Sequence, residues 1–206
     1  MFLCRKSKVK TAGGTKKQKV EVDDTVEYEA AALRSLKALL KCLEASLRSD
    51  AHDGGSWIRE GESERYDSLL EPLGKLFNCR MDSKTYVAMT YQDLVQGNDD
   101  ESGSVVECIV ALASAAGDES KWKPLNHAVL QACSHDSRSE VRKAGVRCLL
   151  SLIKSIGEEY MVLIPECLPV LSELLEDSDE QIAGLAQECI AMSEELLGES
   201  LEDNLR

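Results

Sequence analysis

The stretch DSRSEVRKAGVRCLLSLIKSIG, residues 136–157, returns 41 positions later as DSDEQIAGLAQECIAMSEELLG, residues 177–198. The same offset matches Asp136-Ser137 with Asp177-Ser178, Val141 with Ile182, Cys148 with Cys189 and Gly157-Glu158 with Gly198-Glu199. It also matches Pro124 with Pro165 and Val129-Leu130 with Val170-Leu171. One unit upstream, at an offset of 40, Cys108 matches Cys148 and Gly117 matches Gly157. Matches that keep their order at one period are the mark of a stacked repeat, because each unit solves the same packing problem. Each shared position has a physical role. Pro124 and Pro165 fall where a helical segment can begin, or where the first helix of a unit kinks. Asp136 and Asp177 precede the second helix, where a carboxylate caps free amides and complements the dipole. Gly157 and Gly198 follow that helix, where a left-handed residue is needed. The cysteines occupy recurring buried slots.

Outward from this stretch the pattern remains helical. Apolar residues recur at three and four positions through Ala30, Leu33, Leu36, Leu40, Leu43 and Leu47, predicting an amphipathic helix from Val26 to Leu47. A loop is expected at 49–56, around Asp53-Gly54-Gly55. A second helix is expected at 62–77, with Pro72 inside it. Residues 81–95 mix helical spacing with β-preferring Thr85, Val87, Thr90 and Tyr91; they are read as helix because their surroundings are helical. Residues 96–103 are expected to form an exposed acidic loop. Further helices are predicted at 104–116, 122–134, 137–156, 158–176 and 179–197, and turns this short force antiparallel neighbours. A period of 40–41 with two helices per unit predicts an all-α, HEAT-like helical repeat solenoid over residues 25–206.

Composition agrees. Of 206 residues 43% are hydrophobic but only 4% aromatic, a mix that suits packed helices. No apolar run approaches the length of a membrane span, and no secretory signal is visible. Residues 1–20 carry seven basic side chains and no acidic one, whereas the remainder carries 17 basic against 37 acidic. Residues 1–24 therefore read as a disordered basic tail; it is either a solvated tail, a nucleic-acid contact or a localisation signal. The acidic body repels naked nucleic acid and points to protein partners. Eight cysteines include no C-x-x-C pair, which predicts neither a disulfide framework nor a zinc site. No catalytic constellation or phosphate loop emerges. His52, His127 and His135 are the only histidines, Cys133 near His135 lacks further spaced ligands, and Gly13-Gly14 and Gly54-Gly55 follow no strand. No cofactor, metal or small-molecule substrate is indicated.

Two surface features carry a functional reading beside a structural one. Trp122, between Lys121 and Lys123 and one turn before His127, is either a partner anchor or packing at a repeat junction. Arg142, Lys143, Arg147 and Lys154 make a basic stripe on one helix, to be read as a contact for RNA phosphate or an acidic protein, or as a solvated face.

Specific strings then suggest a family. Asp136 followed by Val141-Arg142 looks like the HEAT signature, in which the turn Asp and helix Arg of neighbouring units form a ladder; the last unit has Ala183 at the Arg position. The segments Trp122-Lys123-Pro124-Leu125-Asn126-His127, Leu163-Ile164-Pro165-Glu166 and Leu171-Ser172-Glu173-Leu174-Leu175-Glu176-Asp177 resemble a particular family. So do Glu158-Glu159-Tyr160 and Leu197-Gly198-Glu199-Ser200-Leu201, with Leu69-Leu70-Glu71-Pro72-Leu73 resembling an earlier helix. The family is that of HEAT repeat-containing protein 1, also called U3 small nucleolar RNA-associated protein 10, at its C-terminal end. The resemblance implies a nucleolar, non-catalytic scaffold of the small-subunit processome in pre-ribosomal RNA processing. Its partners would be other assembly proteins of the U3 small nucleolar ribonucleoprotein complex, with at most weak rRNA or snoRNA contact. The polar last helix (Glu188, Glu194, Glu195, Glu199) suits a terminal cap. Two alternatives remain: a HEAT-repeat adaptor outside ribosome assembly, and a weak RNA-binding module using the basic tail.

Overall fold

The computed structural model describes residues 24–60, 62–77, 79, 91–97, 103–135 and 137–201. Among these residues eight α-helices follow in order: α1 Asp24–His52, α2 Ser56–Glu60, α3 Glu62–Phe77, α4 Val105–Ala116, α5 Glu119–Cys133, α6 Ser139–Ile156, α7 Ile164–Leu175 and α8 Glu180–Leu197. A π-helical turn at Gln92–Gln96 precedes α4, and a 3-10 turn at Gly157–Leu163 precedes α7. The helices form two layers. In one, α1, α4, α6 and α8 pack in succession; in the other, α3 packs on α5 and α5 on α7. Each of α3/α4, α5/α6 and α7/α8 is then an outer and an inner helix of one unit. The all-α repeat architecture stands as the sequence predicts.

The inner-row helices run parallel, and side chains one period apart meet across them. Ser114 and Ser155 hydroxyls lie 3.1 Å apart, 41 residues apart in the chain. Cys189 Sγ donates to the Val146 carbonyl at 3.8 Å, and Cys108 Sγ to the Leu40 carbonyl at 3.3 Å. The recurring cysteines Cys108, Cys148 and Cys189 are all fully buried, as recurrence of the slot requires. Within a unit the layers approach closely at Gly145, where a Cβ would stand 2.6 Å from the Cys133 amide nitrogen; only a hydrogen fits there.

Several expectations need correction. The loop at 49–56 begins late, because α1 continues to His52 and Asp50 caps α2 from within it, accepting from the Trp57 and Ile58 amides at 2.8 and 3.1 Å. The single helix at 158–176 is two elements. The chain tightens into 3-10 geometry until Ile164, and Pro165, which has no N–H to give to a preceding turn, takes the start of α7. Pro124 instead lies inside α5. Gly198 adopts the left-handed cap at φ 72° and ψ 13°; Gly157 shares the positive φ of 70° but has ψ −136°, because the chain must turn directly into the 3-10 segment.

Asp177 does not cap its helix as expected. Asp136 lies outside the described residues, and α6 starts from Arg138, whose side chain makes no cap bond. For α8 the cap is Asp179, which accepts from the Gln181 amide at 3.0 Å, leaving Asp177 free for another partner. The ends of the expected exposed loop at 96–103 are buried: Gln96 and Gly97 pack inward on one side, Gly103 and Ser104 on the other. The helix expected at 81–95 falls mostly outside the described residues; its last part is Tyr91 and the π-helical turn. Of the expected tail 1–24, only Asp24 is described, as the first residue of α1.

Candidate interaction surface

The region around Trp122 is a junction, not an exposed anchor. Trp122 is only 4% exposed, and its indole Nε1 donates to the Ala113 carbonyl of α4 at 2.9 Å. Lys121 reaches back to the Ile58 carbonyl at 3.2 Å and lies over the Tyr66 ring at 5.8 Å, while Tyr66 Oη donates to the Lys121 carbonyl. These bonds hold α2, α3 and α5 against the end of α4. Lys123 is exposed but paired with Glu119 at 2.8 Å one turn away, and exposed His127 shares a hydrogen bond with Gln131 at 3.0 Å. The four residues therefore divide between packing and ordinary helix-surface pairs. Of them only Lys123 and His127 remain accessible to a partner.

The basic stripe of α6 is also partly consumed. Arg142 Nε and Nη2 grip both carboxylate oxygens of Asp177, at 2.7 and 3.0 Å, and Nη1 donates to the His135 carbonyl at 3.1 Å. This is the ladder contact between neighbouring units; the side chains of Asp177 and Arg142 are only 6% and 16% exposed. The guanidinium holds the Asp177 carboxyl below its usual range, and the Asp179 amide, donating to the same carboxylate at 2.9 Å, acts in the same direction. Lys143 Nζ donates to Gln181 Oε1 of α8. Arg147 is half-buried and Lys154 exposed. By the repeat offset Arg147 occupies the position of Glu107 on α4 and Glu188 on α8. Repeat position, rather than charge, was the signal that Arg142 is structural: its Asp lies one period beyond the Asp136 that precedes it.

Two features went unread in the sequence. Asn126, fully buried, accepts from Tyr160 Oη at 2.6 Å and from Cys167 Sγ at 3.6 Å, tying α5 to the 3-10 turn and α7. The string 122–127 held the clue, since a polar residue on an otherwise apolar helix face needs a partner. Trp57 on α2 is 48% exposed and carries the Arg65 guanidinium over its ring at 5.4 Å. The cysteines of the core are protonated thiols: burial pushes Cys167 up to about 11, and Cys108 and Cys189 up to about 12. Among the described residues no group of three or more His, Cys, Asp or Glu side chains is arranged to hold a metal ion, and no helix is long and apolar enough to cross a membrane.

No protein-family model and no solved structure matches the chain. Curated proteins do. HEAT repeat-containing protein 1 of Homo sapiens is 39% identical over 139 residues, 68% of this chain and 6% of that protein. U3 small nucleolar RNA-associated protein 10 of Coccidioides immitis is 34% identical over 145 residues, 67% of this chain and 7% of that protein. An uncharacterized protein of Arabidopsis thaliana is 33% identical over 192 residues, 92% of this chain and 8% of its own length. The chain thus spans under a tenth of the length of these relatives. Over about two thirds of its residues, it is a homologue of one segment of the proteins named HEAT repeat-containing protein 1 and U3 small nucleolar RNA-associated protein 10.

Proposed function

We propose that this chain is a non-catalytic scaffold segment in assembly of the small ribosomal subunit, acting in the nucleolus through contacts with other assembly proteins. The observation that carries this is its likeness to proteins named for association with the U3 small nucleolar RNA. The fold suits the role. A two-layer stack offers long helix faces and no enclosed catalytic cleft is needed; stacked repeats of this kind bind along their surfaces. In this reading residues 25–206 form one solenoid and residues 1–24 a basic tail. Affinity capture of the tagged full chain from nucleolar extract tests it. Enrichment of small-subunit assembly proteins and of U3 small nucleolar RNA is expected; capture of cytoplasmic partners alone would sink it.

Direct RNA binding by the solenoid is disfavoured by the pairing of Arg142 with Asp177 and of Lys143 with Gln181. Weak binding that falls steeply with salt and is lost on deleting residues 1–20 is the expected result. Tight, salt-resistant binding by residues 25–206 would overturn the protein-contact reading.

A further inference from the structure

The first and last described helices of the inner row are complementary. Along that row two of the repeated cysteines donate to the helix before them: Cys108 to the Leu40 carbonyl of α1, and Cys189 to the Val146 carbonyl of α6. Cys42 follows Leu40 by two residues as Cys148 follows Val146, so Cys42 holds on α1 the slot of Cys108, Cys148 and Cys189. Those three are fully buried, whereas Cys42 is exposed. The slot on α1 is open because no described helix precedes it in the row. Around it stand exposed Ala31, Ala38 and Ala45 at intervals of seven, and Leu39 is 66% exposed. Every exposed charge over 31–49 is basic (Arg34, Lys41, Arg48), the one acid there, Glu44, being buried.

The other end of the row answers it. The outward side of α8 also carries small residues seven apart, exposed Gly184 and Ala191, and a Cβ on Gly184 meets nothing within 4 Å. Beside them stand exposed Glu188 and Glu195, and residues 180–201 include no Lys or Arg. Small residues on both faces allow two helices to approach closely, and charges of opposite sign flank the seam.

We propose that the chain stacks head to tail on a second copy, with α8 of one laid parallel against α1 of the next, continuing the inner row across the junction. The pair Arg48–Glu107 within the chain sets the register. Glu107 holds the slot of Lys41, so a charge on one helix meets the residue seven positions earlier in the following helix. The same step places Glu195 against Lys41 and Glu188 against Arg34, and gives the Cys42 thiol the Gln187 carbonyl. Such a contact is heterologous, so association is open-ended rather than closed at a dimer. One helix pair is a small interface with exposed charges, so it is weak and sensitive to salt. This goes beyond the assembly role above and does not rest on it.

Sedimentation velocity of the full chain over a concentration series tests the proposal. At low salt the weight-average sedimentation coefficient rises with concentration, and the rise is lost at high salt. K41E and E195K each abolish the rise while leaving the helical circular dichroism unchanged. The double reversal K41E/E195K restores it. Alkylation of Cys42, followed by peptide mass spectrometry, slows as concentration increases. A coefficient independent of concentration in the wild type overturns the proposal. So does a double reversal that fails to recover association. Loss with K41E but not with E195K also overturns it, since that is the signature of a symmetric contact of α1 with itself.

Discussion

Replacing Arg142 by alanine removes the one described ladder contact between units and leaves Asp177, 6% exposed, facing its neighbours with the Asp179 amide as its remaining bond among those described. Two hydrogen bonds of 2.7 and 3.0 Å between charged groups are lost, together with a third to the His135 carbonyl. Bonds to charged groups contribute roughly 1.5–3 kcal/mol each, but Asp177 sits at the edge of a turn and can rotate toward water, so the net loss is about 2–3 kcal/mol. For a chain of this length that is a fall in Tm of about 5–10 °C. The double-mutant cycle with Asp177→Ala isolates the pair, with a coupling of about 1–2 kcal/mol expected. The sign with pH follows from the lowered folded-state pKa of Asp177. Its contribution is fully present above the unfolded carboxylate value, about 3.9, and is lost as pH falls below that through the folded value. Urea unfolding followed by circular dichroism at pH 7 and at pH values below 4 measures both effects. The wild type loses this increment in acid, whereas Arg142→Ala has only the smaller part owed to the Asp179 amide to lose. A coupling within about 0.3 kcal/mol of zero would refute the ladder as an energetic contact between units.

Other expectations follow from burial. Tyr160→Phe leaves the buried Asn126 carbonyl without its 2.6 Å donor and costs about 1–3 kcal/mol in urea unfolding; a neutral result would mean the site is wet. Gly145→Ala places a methyl 2.6 Å from the Cys133 amide and lowers stability by about 1–3 kcal/mol, read as a fall in Tm; an unchanged Tm would mean that α5 and α6 can separate freely there. Acrylamide quenches Trp57, 48% exposed, and spares Trp122, so W57F fluorescence is blue-shifted and nearly unquenched; an accessible Trp122 would contradict the packed junction. Among the described cysteines, a thiol reagent modifies Cys42 first in the native chain and the five buried ones only after denaturation; early labelling of Cys148 would show that the core opens locally.

Much of this fold was legible before any coordinates. The match of 136–157 with 177–198 located both inner helices, their glycine ends and the cysteine slots, because repeated packing leaves repeated residue choices. The Arg142–Asp177 contact was legible through the HEAT signature. What the signature did not convey is that Asp177 gives up capping to make it, with Asp179 taking the helix end two residues on. Of the eight residues put forward as a partner surface, Trp122 and Arg142 are the clearest losses. A tryptophan between lysines looks exposed in one dimension, but its face of the helix is turned toward α4. Asn126 was passed over for the opposite reason: its partners Tyr160 and Cys167 come from the next unit, at separations that no local pattern reveals.

The sequence by itself determined the helical class, the period of 40–41 and the alternation of outer and inner helices, since these follow from the spacing of apolar side chains along one chain. Only the tertiary structure decided which of the repeated slots are filled. Cys108, Cys148 and Cys189 lie buried while Cys42, in the same slot, lies open, because burial depends on the helix that stands opposite in space and not on the residue that recurs.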